Sequence, residues 1–264
     1  MHCKKATIVQ ATLKKTVLYL VFGALASQAA IIYDLRSSFS NTANPNGTFS
    51  YVQGTTPLPQ HPQPTDGNTL NPAAANGYFG VVNNFSAAPI ILQVSQNGNS
   101  TSPYSNNDFL TGDIIGASTN PGAGAPFFID WTAPVAGTIT YSGSVWYAHS
   151  PVNRSNDYFL TLGSGPVLAT GTVSYNNGFV RSNPSTFSSS VPLTVTAGQV
   201  LALELQATAG QIYGSLDGVN LTVTLNPATS QTPEPATTLL LVGGLSGIAA
   251  VRKYRVSKMS RNVS

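Results

Sequence analysis

The sequence predicts an all-β fold, an antiparallel β-sandwich with jelly-roll-like connections. Period-two alternation is the first sign, because apolar residues alternate with Asn and Thr from Val219 to Asn226, as in a strand with one wet face. Turn signals such as Asn176-Asn177-Gly178 and Asp217-Gly218 separate runs of this kind. No segment between residues 30 and 226 shows a convincing helical period, and no fixed repeat indicates a solenoid.

The chain begins with the features of a secretory signal peptide. Four lysines precede a short apolar run, Val17 to Ala26, and small residues follow it. Ser27-Gln28-Ala29 fits a small-x-small cleavage site, with Ala24-Leu25-Ala26 as the alternative. About ten apolar residues are too few to span a bilayer, so we expect cleavage rather than a retained anchor.

The body of the chain contains the runs that predict strands. Two polar stretches, Gly54 to Ala75 and Gln96 to Ser105, interrupt its first half and are expected to be exposed loops. The predicted strands are Ile31 to Leu35, Thr48 to Gln53, Gly77 to Val82, Pro89 to Val94, Phe127 to Trp131, Thr138 to Val145, Tyr158 to Leu162, Val167 to Tyr175, Val191 to Val195, Leu201 to Gln206 and Val219 to Asn226.

The charge is unevenly distributed. The whole chain has a sequence pI of about 9.0, but only three of its 12 Lys and Arg residues lie between residues 30 and 226, against eight carboxylates. The body therefore carries a formal charge of about −5, and the basic pI gives no support for nucleic-acid binding. Cys3 is the only cysteine and lies in the segment expected to be removed, so we expect no disulfide and no thiolate metal site.

The end of the chain has the pattern of a short membrane span. Sixteen uncharged residues, Ala236 to Val251, would form a helix of roughly 24 Å against a hydrocarbon core of about 30 Å. The basic residues Arg252, Lys253 and Arg255 can snorkel to close the gap. Basic residues stay on the cytoplasmic side, so everything upstream is expected to be exported.

This tail resembles the PEP-CTERM sorting signal of Gram-negative bacteria. The resemblance implies that Pro233, Glu234 and Pro235 are the recognition motif for an integral-membrane exosortase, and that Arg252, Lys253 and Arg255 are the stop signal. An ordinary C-terminal anchor after a chance Pro-Glu-Pro is the alternative. The expected organisation is a signal peptide over 1–29, the sandwich over 30–226, a linker over 227–232, the sorting signal over 233–255 and a cytoplasmic tail over 256–264.

Two stretches of the body resemble secreted jelly-roll modules related to carbohydrate-binding domains. They are Trp131 to Ile139, with its Ala-Pro and Gly, and Val195 to Leu201, with its Ala-Gly. The resemblance implies a β-sandwich that contacts a sugar. Trp146 lies on the polar phase of its strand, where an exposed aromatic face would suit a pyranose. The expected ligand-binding residues are Trp146, Tyr147, His149, Asn153, Arg154 and Asp157, with Asn156 in the same loop.

Other chemistry has weaker support in the sequence. A glycosidase needs two facing carboxylates, for which Asp130, Asp157, Glu204 and Asp217 are available, but turns, strand edges and wet faces explain each of them. Asn106, Asn107, Asp108 and Asp113 are the densest candidate calcium ligands, although no EF-hand spacing is present and a solvated loop is favoured.

The sequence thus indicates an exported, non-enzymatic cell-surface or matrix protein without a cofactor. Its expected partners are the secretion translocon, signal peptidase, an exosortase-type enzyme and exopolysaccharide or envelope glycan. A purely structural matrix protein that binds no specific sugar and a secreted glycoside hydrolase are the alternatives.

Overall fold

Fifteen strands and one helical turn make up the secondary structure of the part of the chain that the structure describes. The structure is a computed structural model, and it describes residues 28–62, 77–82, 88–95, 97–98, 107–120, 122, 124–149 and 152–228. The elements are β1 Ile31–Asp34, α1 Leu35–Ser38, β2 Phe49–Gln53, β3 Thr56–Pro57, β4 Gln60–His61, β5 Tyr78–Gly80, β6 Ile90–Gln93, β7 Ile114–Ala117, β8 Phe127–Thr132, β9 Gly137–Tyr147, β10 Ser155–Leu162, β11 Val167–Ser174, β12 Ser185–Ser188, β13 Leu193–Val195, β14 Val200–Ala207 and β15 Leu216–Pro227.

These strands form two antiparallel sheets. The larger sheet has nine strands in the order β12-β9-β15-β7-β6-β5-β4, with β1 also paired to β15 and β13 to β9. The smaller sheet has six strands in the order β11-β10-β14-β8-β2-β3. The predicted all-β, antiparallel sandwich is therefore confirmed, whereas the predicted signal helix and transmembrane helix lie outside the described residues.

The main core lies between the two sheets, and the alternation in the sequence identifies it. Val219, Leu221, Val223 and Leu225 of β15 are fully buried, as are Leu201, Leu203 and Leu205 of β14. These side chains belong to one apolar cluster with Trp131, Phe127 and Tyr51. Trp131 is a core residue, because its side chain has no exposed area.

A second, smaller apolar cluster covers part of the outer face of the larger sheet. We call it the outer core. It consists of Tyr78, Ile90, Leu92, Val94, Phe109, Ile115, Ala117, Trp146, Ala148 and Leu216. Strands β6 and β7 are consequently buried on both faces, since Ile91 and Ile114 point into the main core.

Several elements were not predicted. Strand β7 has the sequence Ile-Ile-Gly-Ala and is buried throughout, so it shows no alternation. Strands β3 and β4 are two residues long and lie in the predicted loop after Gly54, and β12 consists of Ser, Thr and one buried Phe. The single turn α1 is too short for a helical period; Asp34 caps it by accepting a hydrogen bond from the Ser37 N–H at 2.8 Å.

No helix among the described residues has both the length and the apolar character needed to cross a membrane. The predicted span Ala236 to Val251, the sorting motif and most of the loop Gln96 to Ser105 lie outside the described part of the chain.

Candidate functional site

Trp146 does not provide the exposed aromatic face that the sequence suggested. Its side chain is only 1% exposed and belongs to the outer core. The indole N–H donates a hydrogen bond to the Asp108 carbonyl oxygen at 2.8 Å. The polar phase of β9 ends before Trp146, because Phe109 and Val94 cover the sheet at this point. Its assignment as a sugar-binding residue is wrong.

The two following candidates also lie inside the protein. Tyr147 is 3% exposed and packs in the main core, where its hydroxyl donates to the Val152 carbonyl. His149 is 2% exposed, and burial together with the Arg154 charge lowers its pKa to about 4. The imidazole is therefore neutral near pH 7. Neither residue presents a surface to a polysaccharide.

Asn153 and Arg154, in contrast, lie where three loops meet. The Arg154 guanidinium lies over the Tyr213 ring, 5.0 Å from its centroid, and Arg154 Nη1 donates to the Gly214 carbonyl at 2.7 Å. The Arg154 carbonyl accepts from the Tyr175 N–H at 3.1 Å. These contacts join the loops that follow β9, β11 and β14.

We call this surface the loop end and define it by Asn153, Arg154, Tyr175, Asn176 and Tyr213. Asn176 Nδ2 donates to Asn153 Oδ1 at 3.3 Å, so the two amides lie side by side. Tyr213 is 52% exposed and Tyr175 is 47% exposed. The surface combines accessible aromatic rings, amides and a guanidinium, which are the groups that bind sugar C–H faces and hydroxyls.

A buried polar cluster lies at the same end of the sandwich. Asp217 accepts hydrogen bonds from Asn156 Nδ2 and from Ser215 Oγ, the latter at 3.3 Å, and Ser118 Oγ donates to Asn156 Oδ1 at 2.8 Å. Asp217 was expected in a turn, but it lies in β15 and is fully buried. Burial raises the pKa of its carboxyl well above the ordinary value.

Two of the four candidate calcium ligands, Asp108 and Asp113, contact arginines. Arg181 donates two hydrogen bonds to the buried Asp113, from Nε to Oδ2 at 2.6 Å and from Nη2 to Oδ1 at 3.2 Å. Arg36 Nη1 lies 3.6 Å from Asp113 Oδ1, and Asp108 Oδ2 accepts from the Arg181 backbone N–H at 2.6 Å. Asn106 lies outside the described residues. The favoured interpretation, a solvated loop, is wrong for Asp113, which is 1% exposed and whose carboxylate pairs with two arginines.

The remaining acids lie on the outer face of the smaller sheet. Asp157 accepts from Thr172 Oγ1 at 2.6 Å and from Thr208 Oγ1 at 3.0 Å. Asp130 and Glu204 are diagonal neighbours on β8 and β14. The Cα atoms of such neighbours lie ~7–8 Å apart. Burial raises the pKa of Asp130 to about 6 and also raises that of Glu204.

Two of the six predicted ligand residues, Asn153 and Arg154, thus lie on the loop end, whereas three of the others are buried: Trp146, Tyr147 and His149. Tyr175, Asn176 and Tyr213 were missed. Tyr175 and Asn176 lie at the turn signal Asn176-Asn177-Gly178, and Tyr213 follows Gly210, but only the folded chain brings these loops together with Arg154.

Comparisons with known proteins establish no family for this chain. No protein-family model matches it, and no curated protein matches it. A cleaved adhesin domain of Lys-gingipain from Porphyromonas gingivalis is similar in structure at 9% identity, over 76% of this chain and 100% of that one, with a TM-score of 0.34.

Two carbohydrate-binding modules also resemble it. One is the C-terminal family 6 module of a marine laminarinase from Zobellia galactanivorans, at 19% identity over 42% of this chain and 79% of that chain, with a TM-score of 0.24. The other is a family 35 module from Clostridium thermocellum, at 13% identity over 52% and 98%, with a TM-score of 0.24. All three TM-scores lie below 0.5, so these resemblances establish neither a ligand nor an activity here.

Proposed function

We propose that this protein is an exported cell-surface or matrix component, sorted through its C-terminal signal, and that its β-sandwich binds glycan at the loop end. The signal peptide pattern and the Pro-Glu-Pro, apolar and basic segments of the tail support the first part. The arrangement of Arg154 over the half-exposed Tyr213 ring supports the second.

That arrangement is suited to binding because it is fixed before a ligand arrives. Arg154 is held by the Gly214 carbonyl and by its stacking on Tyr213, and the Gly214 N–H in turn donates to Asn120 Oδ1 at 2.9 Å. One face of the tyrosine is occupied by the guanidinium, while half of the side chain stays accessible. A preformed aromatic surface loses little conformational entropy on binding.

Replacing Tyr213 by alanine is expected to abolish most of the signal of the mature protein on a glycan array, because the ring supplies the apolar contact. Tyr213→Phe keeps the ring and should retain binding. Val191→Ala, at a residue that is 61% exposed and outside the loop end, serves as a surface control. Undiminished binding by Tyr213→Ala would contradict the loop-end assignment, and no signal from the wild type would favour the structural matrix role.

The sorting part has its own test. Changing Glu234 to Ala together with Arg252 and Lys253 to Gln is expected to leave full-length precursor in the inner membrane, because the recognition motif and the stop signal are both altered. The mass of the product in membrane and culture fractions is the measurement. Normal maturation of this variant would refute the sorting assignment.

A secreted glycoside hydrolase remains the second candidate, and the diagonal pair Asp130 and Glu204 is the observation that favours it. We propose binding without hydrolysis. The glycans that the array identifies, incubated with the protein and assayed for new reducing ends, separate the two: release that is lost in Asp130→Asn would establish the hydrolase.

A further inference from the structure

The arginines of the described part of the chain differ in what they contact. That part contains three Lys or Arg residues, namely Arg36, Arg154 and Arg181. Arg36 and Arg181 both pair with Asp113. Arg154 has no carboxylate of the described residues within 4.0 Å, so it is the cation of this region that lacks an anionic partner.

Most hydrogen-bonding capacity of Arg154 is also unused. A guanidinium has five N–H donors in a planar fork. Nη1 donates to the Gly214 carbonyl, and no other acceptor among the described residues is within hydrogen-bonding range of its remaining donors. The side chain is half-buried, which weakens screening by water and salt compared with a fully exposed arginine.

The surroundings of Arg154 do not cancel its charge. Tyr147 and His149 lie close enough for the Arg154 charge to influence their pKa values. Burial favours the neutral form of both groups: it raises the pKa of Tyr147 and lowers that of His149. The loop end is therefore locally positive on a body whose formal charge is about −5.

We propose that Arg154 binds an oxyanion substituent, a carboxylate or a sulfate, on the glycan that occupies the loop end. The ligand is then an acidic polysaccharide. The guanidinium fork matches a planar carboxylate in a bidentate fashion, and Tyr213 beside it contacts the sugar ring. This inference rests on the proposed function and adds the ligand class to it.

The test uses two matched pairs of polymers with the mature protein: polygalacturonic acid against its carboxyl-reduced form, and dextran sulfate against dextran. We expect the wild type to bind at least one acidic polymer about 10-fold or more tightly than its neutral counterpart. Arg154→Gln should lose about 10- to 100-fold on that acidic polymer only, which corresponds to one charged hydrogen-bonded contact. If the substitution weakens binding to polygalacturonic acid, the oxyanion is a carboxylate. If it weakens binding to dextran sulfate, the oxyanion is a sulfate.

Two further readouts separate this role from a structural one. Arg154→Lys keeps the charge but not the fork, so its affinity should lie between those of the wild type and Arg154→Gln. The salt dependence of binding should be shallower in Arg154→Gln, which a change in loop packing would not produce. The basic residues of the tail are common to all variants and cancel in the comparison.

The outcomes that overturn the inference are distinct from those that overturn the proposed function. Equal binding of acidic and neutral polymers, or acidic binding unchanged in Arg154→Gln, refutes the acidic ligand while leaving glycan binding intact. Failure of the folded wild type to bind either pair or any glycan on the array refutes both.

Discussion

Replacing Trp146 by alanine is expected to lower the free energy of unfolding by about 3–5 kcal/mol, the usual cost of truncating a fully buried tryptophan. The indole is 1% exposed, fills the outer core and donates to the Asp108 carbonyl. The folded fraction of the variant should still bind glycan, since Trp146 is not part of the loop end. Urea denaturation and the array together measure both effects.

Gly218 provides a matched control for this prediction. It lies directly opposite Trp146 in the β9–β15 pair, and a Cβ atom at residue 218 would overlap the indole ring. Gly218→Ala should therefore destabilise the wild type strongly but cost little in the Trp146→Ala background, a coupling that a double-mutant cycle measures. Additive effects, or loss of glycan binding by folded Trp146→Ala, would contradict the placement of this indole.

Asp217 is expected to make the stability of the protein depend on pH. Burial raises the pKa of this carboxyl in the folded state, whereas in the unfolded chain it returns to the ordinary value of 3.8. The folded state therefore holds a proton that the unfolded state releases. Its contribution to stability is complete below about pH 3.8 and falls by about 1.4 kcal/mol per pH unit until the pH reaches the folded pKa.

The variant Asp217→Asn isolates this effect. His149 works in the opposite direction, because its lowered pKa of about 4 makes stability fall as the pH drops below about 6.5. The pH dependence of the wild-type free energy of unfolding therefore partly hides the effect of Asp217. The difference in this free energy between Asp217→Asn and the wild type is the informative quantity. That difference should shift in favour of Asp217→Asn as the pH rises above 3.8, until it reaches the folded pKa.

Asp130→Asn supplies the comparison, because the pKa of Asp130 is raised only to about 6. Its advantage over the wild type should therefore stop growing near pH 6. Chemical denaturation of each protein at pH 4.5, 6 and 7.5 measures both. A difference that stays constant with pH for Asp217→Asn would show that this carboxyl is ionised in the folded protein.

The sequence predicts a strand well where one face of the strand is buried and the other is exposed to solvent. Strands β14 and β15 follow this rule, and their apolar residues are the ones found in the main core. It fails for β7, since a strand covered on both faces has no alternation to detect. It also fails for Trp146, because a residue on the polar phase becomes buried when Phe109, 37 residues away in the chain, packs over it.

The candidate site could be predicted only in part for a similar reason. Asn153 and Arg154 are recognisable as polar loop residues, but Tyr213 lies 59 residues after Arg154 and meets it only through the sheet topology. The pairing of Arg181 with Asp113 is equally non-local, and it gives a carboxylate cluster in the sequence a purely structural partner. Spacing along the chain carries no information about such contacts.

Amide chemical-shift mapping tests glycan binding at the loop end most directly. The labelled mature protein would be titrated with the glycan that gives the strongest array signal. We predict that the perturbed amides cluster at residues 152–154, 175–177 and 211–215, where Arg154, Tyr175 and Tyr213 lie. Perturbations centred instead on Asp130 and Glu204 of the smaller sheet, with the loop end unchanged, would contradict the account.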